Sequence, residues 1–403
     1  MDGERRVYGH RRAMRRRQTR RRRRVALAVL VVLLFAVARV TYLSLRGGPG
    51  AHSAAPATTS HVTPGVSHPG GSSTSTTTTP HPPNTTVTIS AVGDTMMGNT
   101  PMLPPDPGDY FSDVSSLLRR NAQIVFGNLE GTLTTATGSK CGTDSANCFA
   151  FRAPPAYAAD LRHAGFTVMN NANNHSYDFG AAGQEQTVSA LHSAGIAQTG
   201  LPGEITVVRV RGVRVAFVAF APYSDTASLL DLPAAKALIR QARLQADLVV
   251  AYMHAGAEGS DADHVTGQEE TYFGEDRGNP KAFAHMAVDA GADLVIASGP
   301  HVVRGMEFYH RRLIAYSLGN FAGYANFGLG GLLSTSCILN VKLRSDGTFV
   351  SARIIPTELV DQGQPAPGGD AASVIAQLSR DDFGSHAARV EAGGDISAPA
   401  GLR

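Results

Sequence analysis

Six short strings hold most of the side chains in this sequence that could do chemistry. They are Asp94 in TVTISAVGD, Asn128 and Glu130 in AQIVFGNLEG, and Asn174, His175 and Asp178 in FTVMNNANNHSYD. Then come His254 and Glu258 in LVVAYMHAGAE, His301 and Glu307 in LVIASGPHVVRGME, and Asn320 in LIAYSLGNF. Carboxylate, amide and imidazole donors without thiolates suit divalent ions such as Mn²⁺, Fe²⁺ or Zn²⁺. One or two such ions lower the pKa of a coordinated water and neutralise a phosphoryl or acyl oxygen. The sequence contains no Gly-x-Ser-x-Gly elbow and no Walker loop, so nucleophilic-serine and P-loop chemistry have no support. Three cysteines leave no room for a four-thiolate zinc or iron–sulfur site.

Each string follows a short apolar, β-branched run that reads as a buried strand. Helical segments are expected between them at 155–164, 183–194, 232–246 and 280–290, three of them ending in glycine (Gly165, Gly195, Gly291). Alternating strands and helices imply an α/β core of largely parallel strands, whose loops share one rim where ligands bind. The polar clusters should therefore converge in space. A further strand is expected at 213–220 and a hairpin at 337–343 and 348–355 around Asp346-Gly347. One polar strand end is ordinary in any α/β protein, whereas His175, His254 and His301 together are the stronger signal. Glu258 and Glu307 read equally as carboxylates orienting an imidazole or as surface acids, and Asn320 equally as a turn cap. His163, His192, His264, His285 and His310 fall outside the strings and read as structural.

The strings GDTMMG (93–98), NLEG (128–131), NNANNHSYDFG (170–180), HAGAE (254–258), GPHVVRGME (299–307) and YSLGNF (316–321) occur in this order. Together they resemble the CapA-type poly-γ-glutamate capsule biosynthesis family, over residues 87–321 with weaker similarity to 360. The resemblance implies a metallophosphoesterase-like α/β fold, a layered sandwich of mixed β-sheets flanked by helices. It implies Asp94, Asn174, His254 and His301 as metal ligands and His175 as proton donor or charge stabiliser. The family's second motif supplies a bridging aspartate; here Asn128 or Glu130 stands in, and charge favours Glu130. Asn128, Asp178, Glu258, Ser298, Glu307 and Asn320 would orient the ligands. Two positions depart from the pattern. Met96 and Ser298 stand where histidines are usual, which removes nitrogen ligands from a two-metal centre.

The amino-terminal region carries different information. Residues 1–24 hold twelve arginines against Asp2 and Glu4, leaving 24 basic and 31 acidic residues in the rest of the chain. The basic excess belongs to this tail, so nucleic acid is not an expected partner. Residues 25–45 form a predominantly apolar run whose only charged residue is Arg39, and a helix of this length covers roughly 30 Å, the bilayer's hydrocarbon thickness. A cleaved signal peptide has the same basic start, but no clear small-x-small site follows. The reading is a single-pass signal-anchor, with residues 1–24 as a cytoplasmic tail and the rest outside the cell membrane. Residues 46–86 are rich in Ser, Thr, Pro and Gly and read as a disordered stalk. Residues 87–360 form the main domain, and 361–403 are expected to be a loosely packed extension containing a helix at 371–378. Cys141 and Cys148 read as a local disulfide, consistent with an oxidising compartment, and Cys337 as a buried thiol.

Three kinds of protein fit these features. One is a metal-dependent hydrolase acting in the synthesis, export or release of an anionic capsular polymer. A second is a non-catalytic scaffold among other capsule synthase subunits. The third is an extracellular phosphoesterase acting on small phosphorylated substrates. Outside the tail the chain is net acidic and would repel a polyanion at long range, so either a patch involving Arg304, Arg311 and Arg312 or a bound cation is expected to offset that charge near the rim.

Overall fold

The computed structural model describes residues 85–142 and 148–401. The 25–45 span, the arginine-rich tail and the expected stalk up to residue 84 lie outside the described residues, whereas Thr86, expected to close the stalk, already pairs with Arg344 in the first strand. Among the described residues no helix is long and apolar enough to cross a membrane.

Two mixed sheets make up the core. In the larger one, strands Thr86–Met96, Ile124–Leu129, Val168–Asn170 and Ala197–Thr199 run parallel, and Asn320–Gly323 pairs with the first of them. The expected hairpin is longer than its sequence signal, Thr335–Arg344 and Phe349–Val360, and pairs antiparallel with the other side of Thr86–Met96. In the smaller sheet, Val213–Ala221, Leu248–His254, Leu294–Ser298 and Arg312–Ala315 run parallel, with antiparallel strands at each edge.

Alternation along each strand sorts side chains between two layers. Val87, Ile89, Ala91 and Phe126 of the first sheet meet Val215, Phe217, Val250 and Tyr252 of the second in one buried cluster. The Phe126 and Phe217 rings stack 5.5 Å apart across that interface. The opposite faces are covered by helices. Val125, Leu129 and Met169 pack with residues of Ser112–Arg119, Tyr157–Ala164 and Gly180–Ser193. Val218, Val249 and Val295 pack with Leu232–Gln245 and Pro280–Ala290. The result is a helix–sheet–sheet–helix sandwich. Helix starts are fixed locally: Asp231 and Asn279 side chains accept from Ala234 and Ala282 N–H, with proline in the first turn of each helix. Gly291 ends the second of these helices at φ +118°.

One helix was not anticipated from sequence and one expectation needs correction. The helix Ser112–Arg119 carried no recognised signal. The carboxyl-terminal segment is not loosely packed. Helix Ala371–Phe383 buries Ala371, Ile375, Leu378 and Phe383, its Ser379 Oγ accepts from Met306 N–H at 2.8 Å, and Phe383 stacks on Tyr316. Strands Gln364–Pro367, Arg389–Val390 and Asp395–Ser397 extend the larger sheet. Its apolar residues recur at helical spacing and find a core face against strand Met306–Tyr309, which the Gly/Pro-rich entry at 363–369 conceals.

Candidate metal centre

Parallel strands end at one rim in both sheets, and the polar strings lie there. Register pairs Asp94 with Asn128 on one side and Asn320 on the other, and Asn128 in turn with Asn170. The first strand can deliver Asp94 only because position 93 is glycine. A Cβ there would lie 2.0 Å from the Gly319 carbonyl oxygen, and the Asp94 N–H donates to that oxygen at 3.0 Å.

Asp94, Glu130 and His254 form the innermost cluster, each offering a ligand atom within 4.8 Å of the others. All three are fully buried. Neither ring nitrogen of His254 has a hydrogen-bond partner, nor does Glu130 Oε1. Buried polar atoms are almost always paired, so unpartnered atoms on His254 and Glu130, in a trio whose ligand atoms lie this close, are what a cation site would explain. Asn128 organises the acids. Its Nδ2 donates to Asp94 Oδ1 at 2.8 Å and to Glu130 Oε2 at 2.5 Å, while its Oδ1 accepts from Asn170 at 2.6 Å and Asn173 at 2.9 Å. Two amide donors on one end and two carboxylates on the other fix the flip state. Asn128 thus turns its NH₂ toward the acids and cannot present an oxygen there, which leaves Glu130 as the second carboxylate.

His301 connects this cluster to a cleft of about 690 Å³ that it lines together with Asn174, His175, Glu258 and Asn320. Its Nδ1 is 2.8 Å from Asn320 Oδ1 and 3.1 Å from Asp94 Oδ2, and its Nε2 is 3.7 Å from Glu258 Oε2. The residue sits at φ +63°, a conformation that costs energy for a side chain with a Cβ and that clusters at functional sites. Asn174 Oδ1 is buried without a partner. His175 Nδ1 is 2.8 Å from Asp178 Oδ2, and the His175 N–H donates to Asn173 Oδ1 at 2.9 Å.

The electrostatics of the bare site follow from burial and close charges. Burial drives His254 down to about 3, so it is a neutral donor. Burial and the neighbouring Asp94 charge push Glu130 well above the ordinary range. Burial opposes the charge on His301, but the hydrogen bond and charge of Asp94, with Glu130 and Glu258, prevail and raise it to about 10. Burial also works to raise Asp94, and His301 outweighs it, leaving Asp94 below its usual value. Burial lowers His175 despite Asp178.

Several predicted residues sit elsewhere or play smaller parts. Glu307 is remote from the cluster's hydrogen bonds; it holds His285 Nε2 at 2.6 Å and Tyr316 OH at 2.5 Å in the smaller sheet. Ser298 pairs in register with His254 but its hydroxyl has no partner. Met96 is buried beside Gly323. Glu258 is drawn off by Arg277 at 2.8 Å. The expected arginine patch does not form. Arg304 is 1% exposed and paired to Glu270, while Arg311 and Arg312 line a different cleft, with Arg312 bound to Asp293. Sequence reasoning missed Lys140, Phe151, Tyr223, Asp225 and Arg277, which line the cleft from loops without periodicity. Cys141 and Cys148 are disulfide-bonded beside it, and Cys337 is buried.

Fold and site together define a layered α/β protein with a buried carboxylate–imidazole cluster at the shared ends of its parallel strands. The chain belongs to the family described as bacterial capsule synthesis protein PGA_cap, whose profile matches residues 88–325. It is 29% identical over 320 residues to the capsule biosynthesis protein CapA of Bacillus anthracis, covering 75% of each chain. It is 26% identical over 301 residues to the PGA biosynthesis protein CapA of Bacillus subtilis, covering 70% of this chain and 73% of the relative.

Proposed function

We propose that the protein is a membrane-anchored, cell-surface member of this family that acts on an anionic capsular polymer, poly-γ-glutamate, through a metal-dependent hydrolytic site of metallophosphoesterase type. The observation that carries this reading is the buried trio Asp94, Glu130 and His254, whose ligand atoms lie within 4.8 Å of one another and whose side chains carry unpartnered polar atoms. The donor set suits manganese, iron or zinc. Asp94, Glu130 and His254 would hold the ion, with His301 and Asn174 adjoining from the cleft. When bound, the ion supplies Lewis acidity toward an acyl or phosphoryl oxygen. The remaining roles belong to the chain's own residues. Asp178 fixes the His175 ring through Nδ1, leaving Nε2 to hold or deliver a proton to a leaving group in the cleft that His175 lines. Asn128 keeps the two carboxylates apart and oriented.

A second reading has its own observation. Met96 and Ser298 supply no ligand where histidines are usual, which favours a non-catalytic partner of the polymer synthase. Metal analysis of the full-length protein after supplementation with manganese and zinc separates these. The hydrolytic reading expects retained metal, lost in His254→Ala, and cleavage of γ-glutamyl or aryl phosphate bonds that fails in the same variant. Retention of no metal by the wild-type chain refutes the centre. The anchor at 25–45 is tested by alkaline carbonate extraction, which releases a protein without a membrane span.

A further inference from the structure

Asp178 is fully buried, and apart from His175 the partners of its carboxylate come from one short stretch of chain. Lys140 Nζ approaches Oδ1 to 2.6 Å, and the Phe151 N–H donates to Oδ2 at 2.6 Å. Lys140 makes two further bonds to the same loop: its Nζ donates to the Asn174 carbonyl and its backbone N–H to the Asp178 carbonyl, both at 2.8 Å. The Phe151 ring lies 4.4 Å from the His175 imidazole, centroid to centroid. Lys140 immediately precedes Cys141, and Phe151 is the third residue after Cys148. The disulfide therefore joins the two stems that grip the His175–Asp178 pair, with Cα atoms 5.5 Å apart.

We infer that Lys140 and Phe151, on the two stems joined by the Cys141–Cys148 disulfide, clamp the His175–Asp178 pair, and that Lys140 is a positioning residue for His175. The inference rests on the reading of His175 as the proton-carrying group of the cleft. The two stems are not equally secured. Phe151 is already tied to the sheet region, because the Thr132 N–H donates to its carbonyl at 3.0 Å and Thr132–Leu133 pairs with Arg152–Ala153. On the other stem the last such tie is the Ala136 carbonyl, which accepts from Arg152 Nη1, four residues before Lys140, and the disulfide adds a covalent tether next to Lys140 itself. Closing the loop removes chain freedom that Lys140 would otherwise lose on docking. Without Lys140, the buried carboxylate keeps one backbone donor and the imidazole, and an undercompensated buried charge reorients toward water. His175 then loses the acceptor that selects its tautomer. If the disulfide serves only its own loop, nothing at His175 depends on it.

The test uses the full-length chain labelled with ¹⁵N-histidine, His175 being assigned by its absence in His175→Gln. Wild type is expected to show a single Nδ1–H tautomer of His175 at fixed pH. Lys140→Met and the double variant Cys141→Ser/Cys148→Ser are expected to show an averaged tautomer signal. The Phe151 amide should also exchange about tenfold faster in both. Lys140→Arg should restore the wild-type pattern, which a merely space-filling role would not require. Lys140→Met keeps the disulfide, so it carries the test if the double serine variant fails to fold. A His175 signal unchanged in Lys140→Met overturns the inference. Bound zinc is measured on the same samples. No zinc with a responsive His175 removes the metal centre and leaves the clamp; bound zinc with an unresponsive His175 does the reverse.

Discussion

The substitution Asn128→Asp probes the cation site without touching a proposed ligand. In the wild type the Asn128 amide lies between two buried carboxylates, donating at 2.8 Å to Asp94 and 2.5 Å to Glu130. Aspartate has no N–H to offer. Its oxygens would face two acceptors at these distances, in a site that none of the three residues shares with water. Losing one partner from a buried charged network costs about 3–5 kcal/mol. For a domain of this size that lowers the melting temperature by about 10 °C in the metal-free protein. A divalent ion offsets part of this loss, because a third carboxylate strengthens the attraction it feels. At a metal concentration about 100 times Kd, binding restores about 2.7 kcal/mol. The assay is thermal unfolding of chelated and manganese-supplemented protein, wild type beside variant. The variant should melt lower without metal and gain more from metal than the wild type does. A metal-free variant as stable as the wild type refutes the reasoning, and so does an equal metal-induced gain in both.

Other substitutions test adjoining parts. Gly93→Ala places a Cβ 2.0 Å from a backbone oxygen and should cost about 1–3 kcal/mol in urea unfolding, with metal retention falling alongside; unchanged stability would show that the close approach of strands is not needed. Glu307→Gln disturbs bonds to His285 and Tyr316 and should lose about 1–3 kcal/mol while retaining wild-type manganese content; loss of metal at unchanged stability would return Glu307 to the site. His264, exposed over about half its side chain, has its pKa raised by the hydrogen bond to Asp382. A raised folded-state value means stabilisation that is complete below the unfolded value near 6.5 and fades as pH climbs through the folded one. His264→Gln should therefore be destabilised at pH 5.5 and nearly neutral at pH 9, by urea unfolding at both; an equal deficit at both pH values would rule the ion pair out.

The rim was legible because it depends on topology. Parallel strands separated by helices must end together, and Asp94, Asn128, His254 and Ser298 close their strands in register. Which acid replaces the missing bridging aspartate was only half readable: charge pointed to Glu130, and the hydrogen bonds of Asn128 give the reason. Glu307 misled because it follows His301 closely in sequence. The chain reverses after that residue, and strand Met306–Tyr309 runs antiparallel to Arg312–Ala315, away from the cluster. Lys140, Tyr223 and Arg277 were not legible, since loop residues carry no period and their convergence is set by distant strands. The carboxyl-terminal helix had a readable apolar pattern at Ala371, Ile375 and Leu378, but nothing in it named the strand it would cover.

Strand Thr86–Met96 has an entrance and an exit with different neighbours. It starts beside Arg344 at one pole of the larger sheet and delivers Asp94 at the other, a run of roughly 27 Å. The described chain thus enters the domain roughly 27 Å along the strand from Asp94. Entry to the domain and its polar rim therefore occupy opposite ends of one strand and do not compete for the same surface.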